Sequence, residues 1–117
     1  MAMTPAEYDG AVPIDGYGPG FVRLGGKVHR GAVVIHDGRA TPWGGLEDEA
    51  PLIALAAVAE LLVIGLGAEV ARLPEGLLDA LEAVGLRVEV MSTPAAARVY
   101  NLLLSEGRQV AAALLPT

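Results

Sequence analysis

Three short runs of uninterrupted aliphatic residues constrain this chain more than any other feature: Val33-Val34-Ile35, Leu61 to Ile64, and Val110 to Leu115. A strand with one wet face alternates apolar and polar side chains. Continuous apolar runs of this length therefore call for strands covered on both faces. Helical patterns lie between them. Pro51 to Ala59 reads as a helix with Pro in its first turn, preceded by Glu47-Asp48-Glu49, acids that favour a helix N-terminus. Pro74-Glu75 opens a second helix, with Leu77, Leu78, Leu81 and Val84 at three-to-four spacing and Gly85 as its stop. Thr93 reads as an N-cap with Pro94 at the first helical position, and that helix runs over about 95–105 before Gly107.

The first third is different. Val12 to Tyr17, Phe21 to Leu24 and Lys27 to Ile35 are extended runs separated by Gly18-Pro19-Gly20 and Gly25-Gly26, the pattern of a β-meander. Residues 37–45, rich in Gly around Trp43, read as a loop. Leu61 to Ile64 reads as a strand ended by Gly65-Leu66-Gly67, and Leu86 to Val90 alternates as a strand does. The expected fold class is α/β: one three-layer domain over residues 12–117 with a mixed central sheet, after a loose lead-in over residues 1–11.

Composition narrows the functional classes. The chain has 117 residues, 53% of them apolar, and a net charge of −6. Its cations, Arg23, Lys27, Arg30, Arg39, Arg72, Arg87, Arg98 and Arg108, read as scattered, so nucleic acid is a poor candidate partner. With no cysteine, disulfides and thiolate chemistry are excluded, and a reducing, cytoplasmic setting is the expectation. The N-terminus lacks a signal-peptide layout. The apolar stretch from Pro51 to Leu66 is interrupted by Glu60, so a buried helix and strand explain it better than a membrane span.

No catalytic constellation stands out. His29 and His36 are seven apart, which on a continuous strand puts them on opposite faces and argues against a metal site. Ser92 and Ser105 sit in no nucleophile elbow. Gly65 and Gly67 follow a buried strand, where α/β folds place ligands. A dinucleotide fingerprint would need a third glycine where Val70 stands, so a structural turn competes with a ligand cradle. Asn101 interrupts an apolar helix and reads as a tether or a site residue; Arg108 suits a helix C-terminus. Trp43 is either a binding anchor or a lid folded over the core.

The stretch from Val88 to Leu115 resembles the C-terminal block of the Mth-type domain-of-unknown-function family, most specifically in Thr93-Pro94, Tyr100-Asn101 and Glu106-Gly107-Arg108. Gly16 to Gly25, Trp43 and Leu62 to Gly67 follow the family order too, so the resemblance covers roughly residues 12–115. Leu66 and Val99 stand where the family often has Thr. The resemblance implies a three-layer α/β fold and offers no established catalytic residue. A mitochondrial member acts by protein association during assembly of respiratory complex I. No transit peptide is expected of this bacterial-looking chain, so that role is not expected to carry over directly.

The expectation is therefore a non-enzymatic interaction domain without cofactor or metal. It would bind a protein partner through an exposed apolar patch around Trp43 and Pro19, and a homo-oligomer is compatible with it. The alternative is a small-molecule-binding protein or weak enzyme, with Gly65, Gly67, Thr93, Asn101 and Arg108 as its candidate site.

Overall fold

The computed structural model describes residues 10–68 and 72–117; most of the expected lead-in lies outside them. Among the described residues, eight strands form two sheets. The smaller is a meander of β1 (Ile14–Gly18), β2 (Phe21–Leu24) and β3 (Lys27–Arg30), all antiparallel. The larger, central sheet adds β4 (Val33–His36), β5 (Arg39–Pro42), β6 (Leu61–Leu66), β7 (Arg87–Met91) and β8 (Val110–Leu115), in the order β5-β4-β8-β6-β7. Its β8-β6-β7 part is parallel, and β4 and β5 are antiparallel additions, so the sheet is mixed as expected.

The three aliphatic runs are the middle of this sheet, and their side chains alternate between two cores. Val33, Ile35, Leu61, Val63, Val110, Ala112 and Leu114 face one side, beneath the meander and helix α3 (Thr93–Ser105). Val34, Leu62, Ile64, Leu66, Ala111 and Ala113 face the other side, beneath α1 (Ala50–Ala54) and α2 (Leu77–Ala83). Both faces are dry, which is why no polar residue interrupts the runs. Alanines fill three consecutive positions of β8, and α3 presents Ala96 and Ala97 to the same sheet, so helix and strands approach closely.

Several expectations shift on inspection. The run from Lys27 to Ile35 is not one strand: Gly31, at φ 79°, breaks it, and its halves belong to different sheets. The face argument for His29 and His36 therefore lapses. The loop expected over residues 37–45 contains β5. Asp37 and Gly38 both take positive φ (51° and 75°) and form the two-residue turn of a β4–β5 hairpin. Asp-Gly is a strong hairpin signal, but of the four residues that follow it, Arg-Ala-Thr-Pro, only Thr41 favours a strand and Pro42 opposes one. The acids before α1 lie outside its first turn. Asp48 instead accepts the Gly44 N–H (3.1 Å), and its carbonyl accepts the Trp43 Nε1–H (2.9 Å). The α1 helix ends at Ala54 in a short 3-10 turn, Leu55–Ala57. Helix α2 starts later than Pro74 because Gly76 sits in the left-handed region. Only Leu77 and Leu81 of its apolar stripe are buried; Leu78 and Val84 stay exposed.

Candidate functional site at the carboxyl edge of the central sheet

Open α/β sheets hold ligands beyond the carboxyl ends of their strands, where successive crossovers leave on opposite faces. Here that point is the end of β6, between β7 and β8, with α2 on one face and α3 on the other. Gly65 is not in a terminating turn: it is the fifth residue of β6, and the strand continues through Leu66. What Gly65 provides is close approach. A Cβ built there would lie 2.8 Å from both Cα and Oγ1 of Thr93 and 2.9 Å from Leu114. The first turn of α3 thus rests directly on the strand backbone. Gly67, at φ 95°, turns the chain away beneath the Pro116 carbonyl.

Thr93 ties these pieces together. The helix cap is one residue earlier than the sequence suggested: Ser92 is extended and its Oγ accepts the Ala95 N–H (3.4 Å), leaving Pro94 at the second helical position. Thr93 is thereby released from capping. Its N–H donates to the Gly67 carbonyl (2.7 Å). Its hydroxyl accepts the Gly67 N–H (2.9 Å) and donates to the Leu115 carbonyl (2.7 Å). One buried threonine so joins the end of β6, the start of α3 and the end of β8. Thr93, the Gly67 backbone and the Leu115 carbonyl, which a ligand at this edge would call on, bond one another.

The other candidate residues lie elsewhere. Asn101, two turns along α3, is buried, and its amide accepts the Ile14 N–H (2.9 Å) and donates to the Ile14 carbonyl (2.7 Å). It pairs with one residue of β1 as a neighbouring strand would, next to the register shift between Ile14 and Gly16. Arg108 follows α3 at the opposite end of the sheet. Its Nε donates to Glu60 Oε1 (2.8 Å), just before β6, and the two side chains are 38% and 54% exposed. The bond and charge of Arg108 hold the Glu60 carboxyl below the usual range, and Glu60 pushes Arg108 up. The structure thus brings Gly65, Gly67 and Thr93 together but separates Asn101 and Arg108 from them.

Trp43 is buried in the α1–α2 core, and Pro19 is exposed on a turn whose neighbours Gly18 and Gly20 bond Thr117. Exposed large apolar side chains stand elsewhere, at Val28, Val58, Leu78, Val84 and Leu102. The expected apolar patch around Trp43 is therefore corrected: the indole is spent on packing. Leu66 and Val99, where the family often carries Thr, both pack on core clusters.

Two further features escaped the sequence reading. A groove of about 530 Å³ lies at the amino end of the parallel strands, where His36, Asp37, Leu104, Arg108 and Gln109 line it. A cleft of about 540 Å³ opens between β3 and β5, bordered by Lys27, His29, Arg39 and Thr41 over Val12 and Leu24. Both join residues far apart in sequence, so only a correct pairing of hairpins could have revealed them. Nearby, burial and the charge of Asp37 push the Tyr100 phenol up to about 12. Among the described residues, no three His, Asp or Glu come together as a metal-holding group, and no helix is long and apolar enough to cross a membrane.

Residues 14–115 match the family described as "Protein of unknown function (DUF498/DUF598)". The chain belongs to this family. An uncharacterized protein of Rhodobacter capsulatus is 58% identical over 97% of this chain and 94% of its own length. The mouse NADH dehydrogenase [ubiquinone] 1 alpha subcomplex assembly factor 3 is 32% identical over 99% of this chain, which spans 66% of that protein. Its zebrafish counterpart is 47% identical over 49% of this chain and 33% of its own length. Among solved structures, an outer membrane protein of Bartonella henselae superposes with a TM-score of 0.80 at 35% identity, covering 94% of this chain and 98% of that one. A Mth938-like domain of Bordetella pertussis gives 0.77 at 25% identity, over 99% and 92%. The Mth-type resemblance of the sequence is thus established, together with its mixed α/β fold.

Proposed function

We propose that this chain is a protein-association domain that assists assembly of a multisubunit complex, a respiratory or other membrane-associated one, and that it is not an enzyme. The observation that carries this reading is its similarity to the mouse assembly factor across 99% of its length. The carboxyl edge of the sheet supports it. Catalysis in open α/β folds draws on polar groups left free at that edge, and here Thr93 and the Gly67 backbone are bonded to each other and to Leu115.

The test is affinity capture of the intact chain from its native host at native expression, with quantitative mass spectrometry against an untagged control. Enrichment of subunits or assembly intermediates of one membrane-associated complex is the expected result. Recovery of the chain alone, together with a specific small molecule that co-purifies and raises its melting temperature, would overturn the reading in favour of a binding protein or weak enzyme.

A further inference from the structure

We infer that the outer edge of β3 and the cleft beside it receive an acidic, extended segment of a protein partner, which adds to the meander as a fourth strand. The inference rests on the association reading above and names its surface. Among the described residues, β3 pairs with β2 alone. The Gly25-Gly26 turn, both residues at positive φ, makes Leu24 and Lys27 the hydrogen-bonded pair of a two-residue hairpin. The bond from the Gly31 N–H to the Gly20 carbonyl (3.0 Å) keeps the same phase. By alternation, the N–H and C=O groups of Val28 and Arg30 point away from β2, to the open edge.

The other strand edges are guarded. Asn101 occupies the backbone of Ile14 in β1. β5 carries Pro42, which has no N–H to offer, and β7 carries Glu89. Charge selects the occupant of β3. Between Asp15 and Glu47 the chain has four cations, Arg23, Lys27, Arg30 and Arg39, against the single acid Asp37, although the chain as a whole is net −6. Arg23 is paired with Asp15, whereas Lys27, Arg30 and Arg39 have no ion pair among the described residues. Lys27 and His29 share the face of β3 that borders the cleft, and Val28 and Arg30 share the other. A second copy of this edge would bring like charges together, as edge strands do to avoid self-pairing. A strand with alternate acidic side chains is attracted instead, its backbone completing the ladder.

The test titrates the isotope-labelled full chain with a short end-blocked peptide alternating threonine and glutamate, followed by amide NMR. Shifts centred on Val28, His29 and Arg30 are expected, with none from the threonine–lysine counterpart. Lys27→Glu with Arg30→Glu should weaken binding at least about tenfold. Val28→Pro removes an outward N–H but no bond to β2, and should abolish binding while the rest of the amide spectrum is kept. Binding unchanged in Val28→Pro, absence of shifts at millimolar peptide, or tighter binding of oligothymidylate at the same amides would each overturn the inference. The charge-reversed variant also separates the two readings. If it still captures the partner found with wild type, the association reading stands and this surface is wrong. If wild type captures nothing, the association reading fails, whatever the peptide does.

Discussion

Helix α3 is fastened to the rest of the molecule at two kinds of joint. At Thr93 and Asn101 the joint is buried, neutral and made to backbone groups; just beyond its C-terminus, at Arg108, it is an exposed ion pair. Both read in the sequence as polar residues around one helix and so as parts of one candidate site. The difference between them is solvent. A buried backbone N–H or carbonyl left without its partner costs about 1–3 kcal/mol, whereas an exposed pair exchanges one well-hydrated arrangement for another. The neutral joints hold layers together, and the charged one responds to salt and pH.

The comparison breaks most readily at Asn101. Asn101→Leu orphans both polar groups of Ile14, and chemical denaturation should show a loss of about 4 kcal/mol, summed from two such groups. Amide exchange would then locate the damage in β1 rather than in the central sheet. Gly65→Ala drives a methyl against the Thr93 backbone, which cannot swing aside, and against the end of the buried Leu114 side chain. A loss of about 3 kcal/mol is expected from overpacking. Full stability in this variant would mean that α3 does not rest on β6 as described.

Alkaline pH sharpens the contrast next. The Tyr100 phenol is raised above its unfolded value, to about 12. Its contribution is whole below about pH 10 and is lost as pH rises through about 12, because the unfolded chain gives up the proton first. The shift corresponds to roughly 2–3 kcal/mol. Denaturation measured across that window should show the decline in wild type and a shallower one in Tyr100→Phe. Thr93→Val keeps the shape but removes the hydroxyl from two hydrogen bonds. A loss of about 2 kcal/mol should follow, with Thr93→Ser recovering most of it if the hydroxyl is what matters.

The smallest effect belongs to the ion pair. The carboxyl of Glu60 is held below its unfolded value, so its contribution is present above that value and is lost as pH falls through the folded one. Glu60→Gln should flatten the acid limb of the stability profile slightly, and added salt should erase the difference from wild type. A large loss in this variant would put the charged joint on a par with the buried ones and undo the distinction.

The sequence by itself determined the layered α/β architecture, the both-faces-covered strands and the resemblance to a family. These depend on local composition and periodicity, which the chain carries at every position. Val33 to Ile35, Leu61 to Ile64 and Val110 to Leu115 cannot be anything other than dry, and they are the sheet centre. Asn101 was legible as an anomaly, because an amide amid aliphatic residues demands partners, yet Ile14 as that partner was not, being 87 residues away.

Tertiary structure alone decided which end of the sheet each polar residue serves. Thr93 and Arg108 are separated by one helix in sequence and by the length of the strands in space. Gly65 looked like a turn because a glycine's two uses, turning the chain and admitting a neighbour, leave the same letter. Trp43 lies on the core side of a loop that the Asp48 contacts fold back. Lys27, His29 and Arg39 meet around one cleft because two hairpins belong to different sheets that face each other. Pairing across distance is a matter of many weak, simultaneous choices of register and packing. Local pattern restricts those choices, but only the assembled core makes them.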